Sequence, residues 1–174
     1  MQELKFCQRC GFHLTIKNID HRERPFCVRC NTPVFLDPKV AVVVLIVKDG
    51  KLVLVRRDIQ PFMGHWAFPS GYVDRSARVE DEAVREVKEE TGLDVNLKSL
   101  LGVYSEHGNP VVLVAYTAEI VGGSLQALDE VQEVSMFPLN QLPPLPFPHD
   151  GQIISDFFLR GAGPKLALDF SEDW

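Results

Sequence analysis

Apolar and polar positions alternate with three different rhythms along the chain. Val40 to Val47 is an apolar run, Lys51 to Arg57 is a second one, and Asp49-Gly50 lies between them. Asp-Gly favours a type I′ turn, so Lys39 to Arg57 is expected to form a β-hairpin. The unbroken first run implies burial on both faces, which requires helices over the sheet. Gly64 to Pro69 reads as a short strand, and Val95–Tyr104 and Val111–Val121 as longer ones. Gly151 to Leu159 has a helical rhythm that places Ile153, Ile154, Phe157 and Phe158 inward. The result is a mixed fold, α/β (α+β).

Ala77 to Thr91 contains no glycine or proline. Ser76 is the expected N-cap and Gly92 the stop. At about 100° per residue, Ala83, Val84 and Val87 share an arc with Glu80 and Thr91, the packing side. Glu86 and Glu90 run along its shoulder, Glu82 and Glu89 extend the acidic strip outward, and Asp81, Arg85 and Lys88 look away. Two glutamates stacked four apart beside a core repel each other. A hard cation such as Mg²⁺ or Mn²⁺ suits such an oxygen cluster.

The cysteines are Cys7, Cys10, Cys27 and Cys30, two C-x-x-C pairs with sixteen residues between them. This spacing matches a four-thiolate zinc ribbon. Gly11 and Asn31 each follow a second thiolate, where the turn needs a left-handed residue. A segment of about 36 residues needs such a staple to fold. Disulfides would need an oxidising compartment. His13 and His21 are expected in exposed loops rather than on the metal.

The register Gly71, Arg85-Glu86-Val87, Glu89-Glu90 and Gly92-Leu93 resembles the box of the Nudix hydrolases. One position departs, because Ala77 stands where the family has its first glutamate, preceded by Ser76 where glycine is common. The hairpin and Gly64-x-Trp66-x-x-Pro69 precede the box in the same order as in the family. The resemblance implies an α/β/α sandwich with a mixed sheet over residues 37–160, a zinc ribbon over 1–36 and a tail over 161–174. It implies Glu86 and Glu90 as principal ligands of catalytic Mg²⁺ or Mn²⁺, with Glu89 and the Ser70 carbonyl contributing and Arg85 orienting the carboxylates. Glu130 is expected as a further ligand or general base, with Glu106 as runner-up. Glu82 is placed to compensate in part for Ala77. Trp66, Tyr72 and Phe147, with Phe62, are aromatic candidates for contact with a base.

The activity implied is water attack on phosphorus in a nucleoside diphosphate derivative. Spacing from the first cysteine pair onward is most similar to zinc-ribbon Nudix proteins acting on FAD and ADP-ribose. NADH is a further candidate, although Pro146-Phe-Pro148 lies too far downstream to imply NADH specificity. Alternatives are a catalytically weak nucleotide sensor of the same fold and, less favoured, a zinc-ribbon nucleic-acid binder. A net charge of −6 disfavours a broad grip on nucleic acid or anionic membrane. With no signal-peptide pattern or membrane-length apolar run, a cytoplasmic protein is expected. The tail is left to dock on the body or on a second copy in a homodimer.

Overall fold

The computed structural model describes residues 4–161. The tail that follows Gly161 lies outside the described residues. The chain divides into two compact units, with the boundary between Pro38 and Lys39.

The first unit is a three-stranded antiparallel sheet, β1 (Thr15–Ile19), β2 (Arg22–Cys27) and β3 (Thr32–Pro33), in that order. Gly11 (φ 70°) and Asn31 (φ 50°) are left-handed, as expected where the chain turns back after each cysteine pair. Asp20 and His21 are also left-handed and close the β1–β2 hairpin.

The second unit is built on a mixed sheet of seven strands. These are β4 (Lys39–Lys48), β5 (Lys51–Arg57), β6 (Trp66–Ala67), β7 (Ser70–Tyr72), β8 (Leu93–Ser105), β9 (Val111–Gly123) and β10 (Val131–Pro138). Their order is β10-β5-β4-β9-β8, with β6 on β5 and β7 on β4. The β4–β9 pairing is parallel, and the other pairings are antiparallel. Asp49 (φ 52°) and Gly50 (φ 72°) form the expected turn, with both central residues left-handed.

Strand β4 is central, and its alternation explains the unbroken apolar run. Val42, Val44 and Ile46 pack with Ala83 and Val87 of α1 (Val79–Thr91) on one face. Val43 and Leu45 pack with Phe68, Leu101 and Ile153 on the other, where α2 (Asp150–Gly161) lies. Ile153, Ile154 and Phe157 join that cluster. Phe158, expected inward, is 48% exposed. It lies about 100° round the helix from Phe157, and the arc that reaches the sheet is too narrow for both.

Helix α1 begins two residues later than expected. Its N-cap is Arg78, with extended backbone and no side-chain cap bond. Ser76 has φ 74° and so cannot supply the extended geometry of an N-cap. The loop needs a left-handed residue there. The helix ends as expected at left-handed Gly92 (φ 72°), whose N–H donates to the Lys88 carbonyl.

Candidate active site and thiolate cluster

Strand β7 pairs with β4, Val43 opposite Ser70, so the core strand sets the position of the loop that enters α1. The Ser70 N–H donates to Oε2 of Glu90 at 2.9 Å. A Cβ on Gly71 would run into the carboxylate of Glu86. Glycine at this position leaves the space that Glu86 fills. Backbone and helix are thereby interlocked at two successive residues.

Arg85 does not look away. It bonds Glu82 at 2.5 Å, Glu86 at 2.7 Å and Glu89 at 2.5 Å, a cation shared by three carboxylates. Glu82 is correspondingly drawn in and is only 8% exposed, where the helical rhythm had placed it outward. An ion pair three residues apart can fold an acid back along the helix. Simple angular position cannot register this.

Glu90 is also 8% exposed. Burial pushes its carboxyl up to about 8, reinforced by Glu86 and Glu130 and opposed by the Ser70 N–H and Arg57. Burial also raises Glu86, against the pull of Arg85. Carboxyls that crowd one another in this way favour protonation unless a cation joins them, which fits a divalent metal.

Arg85, Glu86, Glu89, Glu90, Asp129 and Glu130 line one open pocket of about 460 Å³. Glu130 therefore joins the helix carboxylates from a loop far along the chain. Glu130 is left-handed (φ 58°), and its carbonyl accepts the Asp58 N–H at 2.9 Å. Gln132, in β10, holds the same Asp58 by donating to its carboxylate at 2.8 Å. Asp129 was missed, although it adjoins Glu130 in a short acidic pair ahead of a strand. Glu106 is not among the pocket residues; its carbonyl closes the turn after β8.

The aromatic candidates separate. Trp66 packs edge-on against Phe137, ring centres 4.8 Å apart, in the α2-side cluster. Tyr72 is exposed, with the Lys39 ammonium 5.0 Å above its ring. Phe147 meets Phe62 edge to face at 5.1 Å and carries the Arg57 guanidinium over its ring at 5.3 Å.

In the first unit, Cys7, Cys10, Cys27 and Cys30 present sulfurs that all lie within 4.8 Å of one another. Four thiolates around one Zn²⁺ would have edges of about 3.8 Å, and Cys10 and Cys27 are 3.5 Å apart. Backbone N–H groups of Arg9 and Cys10 pull the Cys7 thiol down to about 7. Cys30 is pushed up to about 12 by its hydrogen bond with Cys10, by burial and by Cys27. Four such thiols ionise together only around a cation.

With this geometry in view, the chain matches the NUDIX domain over residues 37–157. It is 43% identical over 127 residues to an ADP-ribose pyrophosphatase of Methanocaldococcus jannaschii, covering 71% of this chain and 75% of that protein. It is 29% identical over 143 residues to the NAD-capped RNA hydrolase NudC of Pseudomonas aeruginosa, covering 82% of this chain but 50% of that protein. The chain thus spans about half the length of that second relative. A crystal structure of a NUDIX hydrolase from Nitrosomonas europaea superposes with a TM-score of 0.75 at 27% identity, covering 80% of this chain and 81% of that one. The chain belongs to the NUDIX family. It is an enzyme, a hydrolase of nucleoside diphosphate derivatives. Among the described residues, no helix is long and apolar enough to cross a membrane.

Proposed function

We propose that this chain hydrolyses ADP-ribose, using Mg²⁺ or Mn²⁺ held at α1, and that a structural Zn²⁺ is held by Cys7, Cys10, Cys27 and Cys30. The observation that carries the active-site reading is the convergence of Glu86, Glu89, Glu90 and Glu130 on one pocket, with Glu90 buried and raised. ADP-ribose is favoured over FAD and NADH, which share its diphosphate, by the 43% identity to an ADP-ribose pyrophosphatase.

Glu86 and Glu90 are the principal metal-holding residues in this reading, with Glu89 and the Ser70 carbonyl completing the set. Cations bound there would neutralise phosphate oxygens and lower the pKa of a water. Arg85 fixes Glu86 and Glu89 in place by its shared ion pairs and so acts as a positioning residue. Glu130 faces the same pocket from a loop tied to β5, and its carboxylate accepts the proton of the water that attacks phosphorus. The new P–O bond forms as the bridging P–O bond breaks, and the leaving phosphate departs on its nucleoside or sugar.

The test is turnover of ADP-ribose, FAD, NADH and diadenosine compounds with Mg²⁺ and with Mn²⁺. ADP-ribose is expected to give the highest kcat/KM, with AMP and ribose 5-phosphate as products. A higher kcat/KM with FAD, NADH or a diadenosine compound would overturn the assignment of ADP-ribose. Cytoplasmic residence and a homodimer remain part of this proposal, checked by fractionation and by sedimentation.

A further inference from the structure

Glu130 brings its carboxylate to the pocket from a backbone conformation that side chains disfavour. Its φ is 58°, and its turn is closed by the Val131 N–H, which donates to the Leu128 carbonyl at 3.2 Å. The third residue of a turn with positive φ is ordinarily glycine or asparagine. A glutamate there needs support from outside the turn.

That support comes from the pairing of β10 with β5. Val131 lies opposite Arg57 and Glu133 opposite Arg56, so Gln132 is the extra residue of a β-bulge. A bulge re-aims the side chain it carries, and Gln132 reaches Oδ1 of Asp58 with its amide at 2.8 Å. The Asp58 N–H in turn donates to the Glu130 carbonyl at 2.9 Å. Asp58 is a firm anchor because the residue before it is held twice. The Arg57 N–H donates to the His65 carbonyl at 3.0 Å, and the Arg57 carbonyl accepts from the Gly64 N–H at 2.8 Å. Asp58 therefore holds the turn at Glu130 through its backbone and the bulge at Gln132 through its side chain. A hydrogen bond to a carboxylate is stronger than one between neutral groups.

Resting on the hydrolase reading above, we propose that Asp58 and Gln132 are positioning residues that clamp Glu130 in its left-handed conformation and so set its carboxylate beside Glu86, Glu89 and Glu90. Neither lines the pocket, and their effect on the reaction runs through Glu130. A proton acceptor displaced by a fraction of an ångström loses rate without losing substrate affinity.

The test uses the full chain with Gln132→Leu, Asp58→Ala and Asp58→Asn, and with Gln132→Leu combined with Glu130→Gln. Steady-state kinetics with ADP-ribose at saturating Mn²⁺ are read with Tm and with hydrogen exchange of the Asp58 amide, followed by NMR. Gln132→Leu and Asp58→Ala are each expected to lower kcat about 10-fold, with KM and Tm nearly unchanged. Asp58→Asn keeps an acceptor for Gln132 and should retain most of the rate. On top of Glu130→Gln, Gln132→Leu should cost nothing further, because the group it positions is gone. The Asp58 amide should exchange faster in Gln132→Leu. Unchanged kcat in both Gln132→Leu and Asp58→Ala overturns the proposal. So does a full further loss on top of Glu130→Gln, or a fall in Tm that accounts for the lost rate, which would mark a purely structural pair. If Glu130→Gln alone leaves kcat unchanged, the reading of Glu130 as proton acceptor fails separately. Exchange of the Asp58 amide then decides the clamp: faster exchange in Gln132→Leu supports it, and equal exchange overturns it.

Discussion

The carboxylate of Glu86 occupies the space that a Cβ on Gly71 would need. Gly71 is therefore required by a side chain fifteen residues on, and its own φ is not in the left-handed region. Gly71→Ala should displace the end of a flexible glutamate and leave the core intact. We expect kcat to fall about 10- to 100-fold, with a Tm change of only a few degrees. Unaltered turnover would show that the position of Glu86 is immaterial.

The second prediction concerns the departure at Ala77. In the structure Arg85 is paired with Glu82, which is buried on the same helix and does not line the carboxylate pocket. Glu82 thus supplies a third carboxylate for Arg85 without entering the site. Glu82→Gln should loosen Arg85 and raise the Mg²⁺ needed for half-maximal rate. Ala77→Glu should change that titration little on its own, yet recover most of the loss when combined with Glu82→Gln. Additive effects in this double-mutant cycle would deny the compensation.

Much of this was legible in the chain. The β4–β5 hairpin followed from Asp49-Gly50 and the two-sided burial of β4 from its unbroken apolar run, because turn chemistry and periodicity are local signals. The spacing of Cys7, Cys10, Cys27 and Cys30 likewise anticipated four sulfurs in one cluster. What local pattern missed depends on partners. Glu82 is buried because Arg85 folds onto it. Asp129 faces the pocket because the Asp58–Glu130 bond draws its loop there. The late start of α1 depends on the left-handed backbone of Ser76, which a serine does not advertise.

A third prediction follows from Asp150 at the start of α2. Burial raises its carboxyl from 3.8 to about 6, although it accepts the Phe147 N–H, which lowers it. The folded state then holds more protons than the unfolded state between about pH 4 and 6. Stability from this group is present below that window and is lost as pH rises through it. Asp150→Asn keeps an acceptor for Phe147 and removes the charge. It should raise stability at pH 8 by on the order of 1–2 kcal/mol and have little effect near pH 4. An equal effect at both pH values would contradict this origin.

The zinc proposal predicts one Zn²⁺ per chain by elemental analysis. Cys27→Ser should abolish that metal and unfold the first unit, because Cys27 is fully buried and its sulfur also accepts the Cys30 N–H. The second unit, with its own core, should keep its cooperative thermal transition. Intact disulfides by mass spectrometry, or full folding without metal, would refute the reading.

The most direct test of the central claim is the rate of ADP-ribose hydrolysis by Glu90→Gln at saturating Mg²⁺, with Tm measured alongside. Glutamine preserves the size of the side chain and an acceptor for the Ser70 N–H, but removes the charge from the buried end of the carboxylate cluster. A fall in kcat of about 10²- to 10⁴-fold, with Tm maintained or raised, is the predicted result. Hydrolysis within about twofold of the unaltered protein would contradict the placement of the metal-dependent chemistry on α1.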